Sequence, residues 1–164
     1  MRNTTLCLLT RGDPPRRILL GLKKHGFGAG KYTGFGGKVE PGETVKQAAR
    51  REMQEETGVR LTLSDLQLVA RLIFVFPFQP DWSQRVHVYR ALSWSGTPQE
   101  SAEMRPAWFG VNTLPLACMW QDAAHWLPPL LHGQHLIARF VFSKDNESLD
   151  SIHLRKYFNG QTAA

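Results

Sequence analysis

Three carboxylates crowd the end of one short stretch, Arg51-Glu52-Met53-Gln54-Glu55-Glu56-Thr57-Gly58. On a helix wheel over Thr44 to Thr57, Val45, Ala48 and Ala49 share a face, and that face runs on into Glu52, Glu55 and Glu56. A stripe that should keep facing a core turns acidic. Glu52 and Glu56 are like charges at i,i+4 and repel. The helix dipole disfavours anions at this end, and any burial adds a desolvation cost. A divalent cation relieves all three penalties together. Carboxylate oxygens with no His or Cys beside them suit Mg²⁺ or Mn²⁺ rather than zinc. Arg51, four residues before Glu55, is placed to hold that carboxylate. An ordinary pair of glutamates belongs to a solvated acidic face. Here the acids extend an apolar stripe and follow a glycine loop, which argues for a site.

The elements that must position this cluster can be read around it. Gly26, Gly28, Gly30, Gly34, Gly36 and Gly37 make a loop in which backbone can approach a ligand closely. Thr44 with Gln47 three residues on is a capping-box pattern, and Gly58 stops the helix. Leu6–Leu9, Ile18–Leu22, Val69–Phe78, Val86–Trp94, His135–Phe142 and Ile152–Tyr157 read as strands. Pro98 to Pro106 reads as a loop, and Asp122–Leu131 as a short helix limited by Pro128 and Pro129. Interspersed strands and helices predict an α/β fold, a mixed β-sheet sandwiched between helices, with residues 1–164 as a single domain.

The 164 residues are 42% hydrophobic and 21% charged, which excludes a disordered chain. Twenty Lys and Arg against 14 Asp and Glu give a net charge of +6, which serves either an anionic partner or plain solubility. Cys7 and Cys118 lack metal or redox spacing and are expected to be reduced, partly buried thiols in a cytoplasmic protein. No apolar run is long enough for a signal sequence or a membrane span, so no membrane partner is expected.

The segment from Gly37 to Val59 matches the Nudix signature at every defined position: Gly37, Glu43, Arg51-Glu52, Met53, Glu55-Glu56, Gly58 and Val59. Beyond it, Gly21-Leu22-Lys23-Lys24, Gly26-Phe27-Gly28-Ala29-Gly30, Gly34-Phe35-Gly36-Gly37-Lys38, Gly96-Thr97-Pro98, Glu103-Met104-Arg105-Pro106, Trp108-Phe109 and Met119-Trp120 resemble the MutT-homologue branch, the oxidised purine nucleoside triphosphatases. The similarity runs from about Thr5 to Phe158. The resemblance implies a Nudix fold with a loop–helix–loop catalytic motif. It implies Mg²⁺-dependent hydrolysis of triphosphates such as 8-oxo-dGTP or 2-oxo-dATP to monophosphate and pyrophosphate, with Mn²⁺ as a substitute.

Carried over by position, Glu52, Glu55 and Glu56 are implied as metal ligands or water activators, with the Gly36 carbonyl and Glu103 beside them. Glu43 and Arg51 are implied to brace the helix. Thr5, Lys23, Phe27, Thr33, Phe35, Gly36, Gly37, Lys38, Phe74, Trp120 and Asp122 are implied to contact the nucleotide. Thr33 stands where the family has an asparagine, and Ala123 where it has a second aspartate. Both changes touch base reading rather than hydrolysis, and they imply a weaker preference for 8-oxo-dGTP over dGTP.

Other readings stay open. Other nucleotides serve Nudix enzymes as substrates, among them unmodified or methylated dNTPs and dinucleoside polyphosphates. A non-catalytic nucleotide-binding module is a second class, disfavoured by the complete glutamate set. No helix-turn-helix, ribonucleoprotein or zinc pattern is present, so stable nucleic-acid binding is not expected. The expected partner is a small-molecule nucleotide, bound by a monomer.

Overall fold

The computed structural model describes residues 1–157. Residues 158–164, the end of the expected domain, and Phe158, where the resemblance stops, lie outside the described residues. The elements run β1 (Arg2–Arg11), β2 (Arg17–Lys23), β3 (Tyr32–Thr33), α1 (Val45–Thr57), β4 (Gln67–Val75), β5 (Gln84–Ala91), β6 (Met104–Gly110), α2 (Ala123–Leu131), β7 (His135–Phe142) and β8 (Leu149–Tyr157). The strands form one mixed sheet in the order β3-β2-β1-β5-β4-β7-β8, with β6 paired to β2. β1 runs parallel to β5 and β4 parallel to β7, while the other pairs are antiparallel.

Strand periodicity splits the interior into two cores, one on each face of the sheet. Leu8, Ile18, Leu20 and Val88 pack on one side with Trp126, Leu127 and Leu130 of α2. Cys7, Leu9, Leu19 and Tyr89, their neighbours along the same strands, pack on the other with Ala49 and Met53 of α1. The sheet therefore lies between helices, as the pattern predicts.

Helix α1 starts and stops where the sequence places its signals. The Thr44 hydroxyl accepts from Gln47 N–H at 3.2 Å, and the Gln47 carboxamide oxygen accepts from Thr44 N–H at 2.7 Å. Gly58 takes the left-handed conformation at φ 77° and donates to the Gln54 carbonyl at 2.8 Å. The buried stripe differs from the expected one. It runs from Ala48 and Ala49 through Met53 to Glu56 and Thr57, while Glu55 stays exposed.

Three further expectations are corrected. Met104–Gly110 is a strand, although Pro98 to Pro106 reads as a loop. Pro106 pairs with Gly21 on β2, and β6 has a sheet neighbour only in β2 among the described residues, so a strand lacking one N–H is tolerated there. Helix α2 passes through Pro128 and Pro129. The carbonyls these prolines leave without an N–H belong to Ala124 and His125, both exposed to water. Cys118 is exposed rather than partly buried, whereas Cys7 is fully buried and its thiol is pushed up to about 12 by that burial.

The capping box gives a direct test of why α1 begins at this point. Thr44→Ala is expected to lower unfolding stability by about 1 kcal/mol. The checking measurement is a shift of the denaturant midpoint at unchanged slope. An unshifted midpoint means that packing alone sets the start of α1.

Candidate active site

The site forms where the C-terminal half of α1 meets the Gly34–Lys38 segment. Phe35 and Gly37 extend the sheet beside β1: Cys7 N–H donates to Phe35 O at 2.6 Å and Thr5 N–H to Gly37 O at 2.9 Å. This tight pairing requires glycine at position 36, and glycine at position 37 leaves room for a carboxylate. A Cβ on Gly36 would overlap the Thr5 carbonyl, and one on Gly37 would strike the Glu52 carboxylate. The loop glycines are thus the means by which a second backbone lies against β1 under the end of α1.

Arg51 organises the outer side of the helix. Its guanidinium donates to Glu43 at 2.7 and 3.1 Å, to Glu52 at 2.9 Å, to Glu55 at 3.3 Å and to the Lys38 carbonyl at 3.0 Å. The hydrogen bond from Arg51 holds the Glu43 carboxyl below its usual range, and the same bond keeps Arg51 firmly protonated. Glu43 and Arg51 therefore tie the loop to the helix. Glu55 is a rim residue, with its side chain 58% exposed.

Glu56 is in a different situation. It is 4% exposed, and the backbone N–H of Gly36 donates to it at 3.1 Å. Burial pushes its carboxyl up to about 9, helped by the charge of Glu52, a hydrogen bond with Glu52 and the charge of Glu103. Among the described residues no three acidic, His or Cys side chains are grouped so as to hold a metal ion as they stand. Glu52 and Glu103, one from α1 and one from the approach to β6, are the acids whose charges bear on Glu56, and the three are hard oxygen donors. Their chemistry fits a divalent metal of the Mg²⁺ type.

Beside Glu56 and Glu103 opens a cavity of about 290 Å³. Thr5, Lys23, Gly36, Gly37 and Lys38 line it near the acids, and Phe27, Thr33, Phe74, Trp120 and Asp122 line the aromatic part. Ten of the residues expected to contact a nucleotide therefore meet in one space. Thr5 Oγ1 is buried there without a hydrogen-bond partner, a polar atom for which a ligand would supply one. Phe35 is the exception and is corrected here. Its ring is fully buried with Met53 and Met104 in the core on the α1 side and does not line the cavity. Glu43, Arg51, Glu52 and Glu55 stand behind or beside the cavity rather than in its lining.

The aromatic part is a slot of fixed shape. Phe27 stacks on Trp120 with centroids 5.1 Å apart and meets Trp82 edge-on at 4.9 Å. Phe76 lies parallel to Phe142 at 4.3 Å. The Lys31 ammonium sits 4.8 Å from the Trp120 ring, while the same ammonium pairs with Glu147 at 3.2 Å. Asp122 is buried, and its Oδ2 accepts from the Trp126 indole at 2.7 Å. Burial raises its carboxyl to about 6 against that favourable hydrogen bond.

Sequence reading missed Phe76, Gln84, Trp126 and Phe142 as cavity residues. The three aromatics fall inside the expected strands and helix, and they belong to the core as well. For Gln84 a signal exists in the alternation of β5: with Val86 and Val88 buried, residue 84 takes the same face. The strand had been expected to begin at Val86, which put Gln84 out of register.

Comparison with known proteins finds relatives over most of the chain. The NUDIX domain family model matches residues 1–130. The oxidized purine nucleoside triphosphate hydrolase of Danio rerio is 46% identical over 128 residues, covering 78% of this chain and 80% of that protein. The protein of the same name from Mus musculus is 43% identical over 142 residues, covering 87% and 88%. Among solved structures, the MutT protein of Bacillus halodurans superposes with a TM-score of 0.76 at 23% identity, over 94% of this chain and 97% of that one, which is a likeness of fold.

The buried aspartate generates a pH test. Its ordinary value is 3.8, and in the fold it rises to about 6. A raised acid favours the fold most below its unfolded value, and the contribution is lost as pH rises through the folded one. Asp122→Asn, which keeps an acceptor for Trp126, should therefore gain stability relative to the natural protein as pH rises from about 4 to 7. Melting curves of both proteins across that range check this. A constant difference would show that Asp122 does not change protonation there.

Proposed function

The chain belongs to the Nudix domain family, and from that premise we propose that it hydrolyses oxidised purine nucleoside triphosphates, such as 8-oxo-dGTP or 2-oxo-dATP, to monophosphate and pyrophosphate. The observation that carries the chemistry is Glu56: a buried acid beside two others, accepting the backbone N–H of Gly36 and facing a cavity. The names of the fish and mouse relatives, with identity extending well beyond the catalytic helix, support the substrate class.

In this reading Glu52, Glu56 and Glu103, with the Gly36 carbonyl and Glu55, would hold Mg²⁺, for which Mn²⁺ would substitute. Such a cation, when bound, would neutralise phosphate charge and lower the pKa of an attacking water. Lys23 and Lys38 orient the phosphates as point charges, and the backbone of Gly36 and Gly37 admits them because no Cβ intervenes. A glutamate of α1 takes the proton of the water as general base. Arg51 and Glu43 fix the helix against the loop so that the acids do not move as charge develops. Phe27, packed on Trp120, and Phe74 are apolar walls for the base, with Trp120 beside it and Thr5, Thr33 and Asp122 as polar contacts.

The same reading takes residues 1–164 as one domain acting as a monomer in the cytoplasm on a small nucleotide, without a stable nucleic-acid partner. No helix of the described residues is long and apolar enough to cross a membrane.

Two measurements test this function. Glu56→Gln should stay folded, since the change removes an acid whose ionised form burial and Glu52 disfavour, and lose about 10²-fold or more in kcat. Near-normal turnover would remove Glu56 from the mechanism. Chromatography of early products from 8-oxo-dGTP with Mg²⁺ should show the monophosphate and pyrophosphate, and a chelator should abolish both. A diphosphate with orthophosphate as first products would contradict the bond assignment.

A further inference from the structure

The site offers the base aromatic walls but few groups to read it. Thr33 offers one hydroxyl, and Asp122 Oδ2 is already engaged by Trp126. We propose that Gln84 is the specificity-determining residue of the base pocket, its carboxamide pairing with the N–H and C=O that oxidation creates side by side on a purine. This rests on the oxidised-purine reading above.

Gln84 opens β5 and is the register partner of Phe74 on β4 and of Arg2 on β1. It lies two residues before buried Val86, so it occupies a position on the cavity face where the strand pattern calls for an apolar side chain. It is half-buried and lines the cavity together with Phe74 and Phe142. It contributes the one carboxamide among the described lining residues.

The orientation of the amide is fixed by its neighbours. The Trp82 carbonyl can only accept, so the group facing it at 3.4 Å is the Gln84 nitrogen. The oxygen then faces Thr4, whose hydroxyl donates to it at 3.0 Å. After these two contacts Gln84 retains one N–H and one carbonyl lone pair, at the fixed spacing of an amide. Trp82 sits edge-on to Phe27, so the carbonyl that orients Gln84 belongs to a residue packed against the aromatic slot.

Oxidation of guanine at C8 produces C8=O beside N7–H, and oxidation of adenine at C2 produces C2=O beside N1–H. Each pair complements a carboxamide in one orientation. In the unmodified base the same two positions are a C–H and a nitrogen lone pair. The Gln84 oxygen would then face a lone pair and its N–H would go unpaired. A group left unsatisfied in this way is what makes a polar pocket discriminate.

The test compares kcat/KM for 8-oxo-dGTP with dGTP, and for 2-oxo-dATP with dATP, in the natural protein, Gln84→Leu and Gln84→Glu. For the pair that the natural protein separates most, the ratio should fall about tenfold or more in both variants. The loss should sit mainly in KM of the oxidised substrate, because Gln84 contacts the base and not the phosphates. Gln84→Glu is nearly isosteric and keeps the acceptor without the donor, so the test stands even if the leucine variant fails to fold. A ratio within about twofold of the natural one in the folded variants overturns the role of Gln84 and leaves the hydrolase reading intact. A natural protein that hydrolyses neither oxidised nucleotide overturns that reading, and this inference with it.

Discussion

Everything in this site depends on one unfavourable interaction: Glu56 is buried against Glu52 with no cationic side chain to offset it. Burial and Glu52 disfavour the ionised form of Glu56, so without a cation the acid holds a proton, at a cost to the fold. Arg51 does not offset this for Glu56. Its five donors are spent on Glu43, Glu52, Glu55 and the Lys38 carbonyl, on the outer side of the helix. The arginine thus anchors the loop and the rim, while the inner carboxylate is left to bind a cation. The two roles fall to adjacent turns of the same helix.

The sheet sets the distance between chemistry and recognition. Gly36 and Gly37 lie against β1 at Thr5, beneath Glu52 and Glu56. Across the sheet, β4 and β5 carry Phe74 and Gln84 as register partners. A ligand spanning the cavity would touch acids and lysines in one part and rings and an amide in another. This is the shape of a nucleotide, with a charged tail and a flat, hydrogen-bonding head. The cores on the two faces of the sheet make both parts rigid, because every positioning strand is packed on at least one side.

The catalytic helix was legible in the sequence because its signals are local. A cap, a stop glycine and acids at helical spacing all fall within one short segment. The sheet order and the cavity were less so, since they depend on pairings between distant residues. Pro106 disguised β6, although a proline suits a strand with one neighbour. Phe35 looked like a pocket residue because the glycines around it are, yet its ring turns into the opposite core. Glu55 seemed equivalent to Glu52 and Glu56 on the wheel, but Met53 and Thr57 take the buried stripe and leave Glu55 at the rim. Gln84 was hidden by a strand start misplaced by two residues, enough to remove it from the element altogether.

The most direct test of the central claim is metal-dependent stability. Melting temperatures of the natural protein and of Glu56→Gln should be measured without metal and with saturating Mn²⁺ or Mg²⁺. The account predicts that the glutamine variant is the more stable without metal, and that the cation raises the melting temperature of the natural protein much more than that of the variant. Equal shifts in the two proteins, or a natural protein already more stable than the variant without metal, would contradict the claim that Glu56 is held in an unfavourable state for a cation to relieve.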